Sequence, residues 1–75
     1  MTALVPSEQR MANQIAVNFA HVPADQAAEM LAGHIERFWD PRMRARLLEL
    51  VDAEADDLHP VVVMGAGVLR KSRET

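Results

Sequence analysis

Four prolines limit how far any regular element of this chain can run. They stand at positions 6, 23, 41 and 60, at near-even intervals. Inside a helix, proline removes a backbone donor and clashes with the preceding turn, and it turns the residue before it away from helix. At the first helical position its missing N–H costs nothing. The prolines therefore cut the chain into short segments, each opening where a helix can begin. Low aromatic content, no Tyr and five Met fit a helical core better than a β-sandwich. The expected fold is all-α: a small bundle of three to four short helices in one domain over residues 1–75, with tails at 1–6 and 72–75.

In the first segment, Ser7 is the expected N-cap and Glu8 suits the positive helix end. Met11, Ile15 and Phe19 form an apolar stripe at helical spacing. Asn18 lies close to that stripe, where an amide is either paired in the core or turned to something outside the chain. His21-Val22-Pro23 ends this helix, and the next begins at Pro23-Ala24 or Asp25. Ala27, Leu31, His34, Ile35 and Phe38 line one face of the second helix, with Met30 and Trp39 at its edges. Gly33 costs about 1 kcal/mol there relative to Ala. It is expected to mark the close approach of another helix, and His34 reads as a hydrogen-bonded core or interface histidine.

The stretch FWDPRMR, residues 38–44, combines the only Trp with an Asp-Pro step and two of three alternating arginines. Asp40 is a good N-cap and Pro41 fits the first helical position, so a tight Asp-Pro corner joins helices two and three. Met43, Leu47, Leu50 and Val51 are the expected buried face of helix three. Arg42 and Arg46 share one flank, with Glu49 in reach of Arg46, while Arg44 lies on the other. The arginines thus make no single basic face. Residues 52–57, DAEADD, lack the glycine and distal glutamate of a calcium loop and read as a solvated helix end.

VVVMGAGVLRK, residues 61–71, reads two ways. Its β-branched start is strand-like, and Gly65-Ala66-Gly67 resembles the start of a dinucleotide fingerprint. The third glycine is missing, since position 70 is Arg, and no βαβ unit can follow. A lone strand would also have nothing to pair with. A fourth helix from about Pro60 to Lys71 is expected, apolar nearly all round, so that part of its burial falls to another chain.

The charge balance narrows the function. A net charge of −3 counts against a nucleic-acid binder. No apolar run approaches the ~18 residues of a membrane span, and MTALVPSEQR lacks the basic and apolar regions of a secretory signal. A soluble cytoplasmic protein is expected. With no Cys, disulfides and Cys-based zinc or iron–sulfur sites are excluded. A chain of this size buries only about 60% of its unfolded surface, so helix packing or a partner chain must stabilise it. No nucleophile has a His–acid pair in its sequence context, and the carboxylates of 52–57 are not a shielded pair. An enzyme is not expected. Trp39 beside Arg42 and Arg44 offers residue types enriched at interface hot spots, with Phe38 expected in the core and Trp39 on an exposed docking edge.

MANQIAVNFA (11–20), FWDPRMR (38–44) and the spaced Leu58 and Pro60 occur in an order that resembles the delta subunit of NAD-dependent, molybdenum-containing formate dehydrogenase. The resemblance runs over roughly residues 8 to 70, and FWDPRMR is its most specific part. It implies a cytoplasmic bacterial accessory subunit with no cofactor of its own. The large alpha subunit of such a complex would hold the molybdopterin guanine dinucleotide and iron–sulfur clusters, with FMN and NAD on the beta and gamma subunits. The delta subunit would bind alpha and support assembly or stability. Asn13, Gln14, Asn18, Phe38, Trp39, Asp40, Arg42 and Arg44 are the expected contact or motif residues. On this reading neither nucleic acid nor membrane is a partner. The alternative is a free-standing homo-oligomeric helical regulatory or interaction module, antitoxin-like or weakly nucleic-acid-binding.

Overall fold

The computed structural model describes residues 6–74 and places four helices in them: α1 (Ser7–Asn18), α2 (Ala24–Phe38), α3 (Pro41–Asp52) and α4 (Pro60–Glu74). The all-α expectation holds, and among the described residues there is no strand. The stretch read two ways, 61–71, is helical. Its helix continues to Glu74, so the tail expected at 72–75 is helical as far as residue 74. Of the tail expected at 1–6, residues 1–5 lie outside the described residues, as does Thr75.

The prolines work in two different registers. Pro6 and Pro23 are themselves the N-caps of α1 and α2, with φ near −56° and −55° and extended ψ. Ser7 is therefore the first helical residue and not the cap expected of it, and its side chain caps nothing. Pro41 and Pro60 instead stand at the first helical position. Asp40 Oδ1 accepts from the Met43 N–H at 2.9 Å and caps α3 as the sequence predicts. His59 caps α4, its Nδ1 accepting from the Val61 N–H at 3.1 Å and its carbonyl from Val62 at 2.8 Å.

The core is built from smaller residues than the apolar stripes predict. On α1 the buried residues are Gln9, Ala12 and Ala16, whereas Ile15 and Phe19 flank the core and Met11 is exposed. On α2 they are Ala27, Ala28, Leu31, Ala32 and Ile35. Ala27, Leu31 and Ile35 of the expected α2 face are thus buried, with Ala28 and Ala32 beside them. The α1 face is turned toward its alanines, small side chains that let helices approach closely. The most extensive packing is α2 against α4, where Val62, Ala66 and Leu69 are fully buried. A Cβ on Gly65 would stand 2.5 Å from Leu31 Cδ2 and 3.3 Å from the Ala28 carbonyl oxygen. The close helix approach expected at Gly33 is thus at Gly65; a Cβ on Gly33 would meet nothing within 4 Å.

Helix α3 buries Leu47, with Met43, Leu50 and Val51 partly covered. It ends in a pair of backbone bonds, Glu54 N–H to Val51 O at 3.0 Å and Ala55 N–H to Leu50 O at 3.0 Å. This is a Schellman closure with Glu54 in the left-handed position at φ 53°, where glycine is usual.

Candidate functional site

The corner at residues 38–44 is where the two aromatic expectations exchange places. Trp39 is 5% exposed and joins the core, while Phe38 is 72% exposed. Helix α2 ends at Phe38, and Trp39 takes an extended ψ of 141° while still donating its N–H to Ile35 O at 2.9 Å. Trp39 thereby joins the same buried cluster as Leu31, Ile35 and Leu47. It is therefore not the exposed edge expected of it, and the exposed aromatic of the corner is Phe38.

Two members of the motif are occupied within the chain. Asp40 is a cap. Arg44 is half-buried and reaches back from α3 to the C-terminus of α2, its Nη1 lying 3.3 Å from the Glu36 carbonyl oxygen and 3.5 Å from that of Trp39. A cation there satisfies carbonyls that the helix leaves without partners and complements its negative end. Arg42 differs: it is exposed and has no hydrogen-bond or ion-pair partner among the described residues. Arg46 pairs with Glu49 at 3.5 Å, as its spacing predicts.

The α1 amides also divide. Asn13 is half-buried and holds the segment between α3 and α4: its Nδ2 donates to the Asp57 carbonyl oxygen at 2.8 Å, and its Oδ1 accepts from the His59 N–H at 3.0 Å. Gln9, one turn earlier, is 3% exposed and donates to the Asp56 carbonyl oxygen at 2.6 Å. Gln9 was not among the expected site residues, although an amide four positions before Asn13 is the signal for a shared face. Gln14 and Asn18 are exposed and meet only each other, at 3.4 Å. Asn18 is therefore outside the core.

Beside Phe38 runs an open groove of about 460 Å³, lined by Phe19, Glu29, Met30, Gly33, His34, Arg37 and Phe38. The His34 ring lies against Phe38, with centroids 4.8 Å apart and planes at 41°. His34 is thus half-buried on a groove wall and not in the core. Met30 is 42% exposed in the same groove. Exposed aromatic, thioether and arginine side chains thus surround the depression, residue types that are enriched at protein interfaces in general. Among the described residues no three His, Asp or Glu side chains stand together to hold a metal ion. No helix in them is long and apolar enough to cross a membrane.

No curated protein and no solved structure matches this chain significantly. The family described as NADH-dependent formate dehydrogenase delta subunit FdsD does match, over residues 10–65, a span that takes in the Asn13 clamp, all of α2 and α3, the 38–44 corner and the start of α4. That is most of the chain, and it includes the whole 38–44 corner and the groove beside it: this chain belongs to the formate dehydrogenase delta-subunit family.

Proposed function

We propose that the chain is a non-catalytic accessory subunit that binds the catalytic alpha subunit of an NAD-dependent formate dehydrogenase complex in the cytoplasm and supports its assembly or stability. The observation that carries this reading is Phe38. It is 72% exposed within the stretch most specific to the resemblance, and its neighbours Trp39, Asp40 and Arg44 already have internal roles. An aromatic ring left in water beside an apolar groove is favourable only when something covers it. On this reading Phe38 and Arg42 lead the contact, with Gln14 and Asn18 as further polar contacts. Asn13, Trp39, Asp40 and Arg44 contribute by holding the surface in shape.

The chain holds no cofactor on this proposal. It has no thiolate for an iron–sulfur cluster, and its carboxylates and imidazoles do not converge among the described residues. Molybdopterin guanine dinucleotide and iron–sulfur clusters belong to alpha, and FMN and NAD to the beta and gamma subunits.

The test is co-purification. A tagged full-length chain co-expressed with the large subunit should retain it through washing. Phe38→Ala should lower the retained amount by about tenfold, as expected for loss of one interface anchor. A folded chain that retains no large subunit would overturn the proposal.

A further inference from the structure

The groove on α2 has charge of opposite sign at its two ends, placed symmetrically about a glycine. Glu29 stands four residues before Gly33 (33 − 29 = 4) and Arg37 four residues after it (37 − 33 = 4). Neither has an ion-pair partner among the described residues. Both are exposed. On a helix they lie two turns apart, about 12 Å, on one side. Gly33, midway, has open space where a Cβ would be, so no packing within the chain requires glycine there. Phe38 closes one end of the groove, and the exposed Met30 lies toward the other.

Such a surface is complementary to itself. We propose that the free chain pairs with a second copy through this groove, with the two α2 helices antiparallel and crossing at Gly33. A twofold axis there sets Arg37 of each copy beside Glu29 of the other. Phe38 of each is directed toward Phe19 and Met30 of the other. An interface of this type uses the same patch twice, so each favourable contact occurs in duplicate. The missing Cβ atoms at Gly33 let the two backbones approach. The charge pairs fix antiparallel register and disfavour the parallel arrangement, in which Glu29 would face Glu29. One helix face per copy places the contact among weak, transient interfaces. Phe38 also belongs to the surface proposed to meet the large subunit, so on that reading the two associations exclude each other.

Sedimentation equilibrium of the purified full-length chain tests this. The chain should show a concentration-dependent monomer–dimer equilibrium. E29R and R37E should each weaken it by about tenfold or more, through two repulsive pairs per dimer. An equimolar mixture of E29R and R37E should restore it, because each copy then supplies what the other lacks. Far-UV circular dichroism of each variant confirms that the helices are kept. A chain that is monomeric up to millimolar concentration would overturn the inference. So would a dimer that survives both single substitutions, or one that the mixture fails to restore. Co-purification with the large subunit is read separately: a monomeric chain that still captures it would overturn only the pairing, and a groove-paired chain that never captures it only the proposed function.

Discussion

Three glycines and one glutamate show how finely single positions divide in a chain this small. Gly65 lies under Leu31, which is fully buried, so a Cβ there would force its side chain to shift within the packed core, and a backbone carbonyl limits the other direction. Gly65→Ala is expected to destabilise the chain by about 1–3 kcal/mol through overpacking. Gly33→Ala and Gly67→Ala meet no atom within 4 Å. Each should instead stabilise by about 1 kcal/mol, the helix-propensity difference alone. Thermal unfolding of the three variants checks the contrast; equal effects at positions 33 and 65 would contradict the packing described. Glu54 is the converse case. It occupies the left-handed position that closes α3, at φ 53°, in a run that also contains Asp52, Asp56 and Asp57. Glu54→Gly removes the steric cost of a Cβ there and one like charge, and should raise stability by about 1 kcal/mol.

At the scale of elements, the Asp40 cap and the helix starts at Pro41 and Pro60 were readable because they depend on neighbours in sequence, while the cap expected of Ser7 fell to Pro6. Asp40-Pro41 needs only its own side chain and the next turn, and His59-Pro60 works in the same way. The buried faces were harder. Counting large apolar residues led to Met11, Ile15, Phe19 and Phe38, while the contacts between helices were made by Ala12, Ala16, Ala28 and Ala32. Alanine carries little signal in a hydropathy pattern but allows the closest approach, so the α1 stripe was read to one side of the true core. Ala27, Leu31, Ile35 and Leu47, by contrast, are buried as their spacing predicts. Trp39 was misplaced for a second reason. The backbone leaves helical geometry at that residue, and helical spacing cannot say where its side chain goes. The Gln9–Asn13 clamp was also beyond local reading, since its partners are 44 to 47 residues away. It ties α1 to the α3–α4 connection, where Asp57 takes φ 66°. Asn13→Ala removes two hydrogen bonds and leaves backbone groups to find water, and should cost about 2 kcal/mol. Asp40→Ala, which loses one exposed cap, should cost about 1 kcal/mol. Urea unfolding can rank the two, and a larger loss at Asp40 would mean that the clamp is not what holds the connection.

For the molecule as a whole, the exposed apolar side chains bear on its stability as well as its function. A small core in which, among the described residues, six of the thirteen buried apolar ones are alanines buries limited area, so this domain has little free energy in reserve. Phe38, Met30, Val63 and Met64 remain in water, the first two along the groove and the last two on α4. Covering any of them stabilises the fold by mass action, because a partner that binds only the folded chain adds to its unfolding free energy. With the large subunit at about 100 times its Kd, the gain is about 2.7 kcal/mol. Amides that exchange only through global unfolding should then slow by about 100-fold. Such amides are expected in the middle of α2 and α4, which form the best-packed pair. Hydrogen exchange read by mass spectrometry can follow peptides of this chain inside a complex. Phe38→Ala should leave exchange in the free chain nearly unchanged, since its ring is mostly in water, yet lose most of the protection conferred by the large subunit. If the variant destabilises the free chain as much as it weakens the complex, then Phe38 supports the fold rather than the contact, and the docking edge must be sought on α4 around Val63 and Met64.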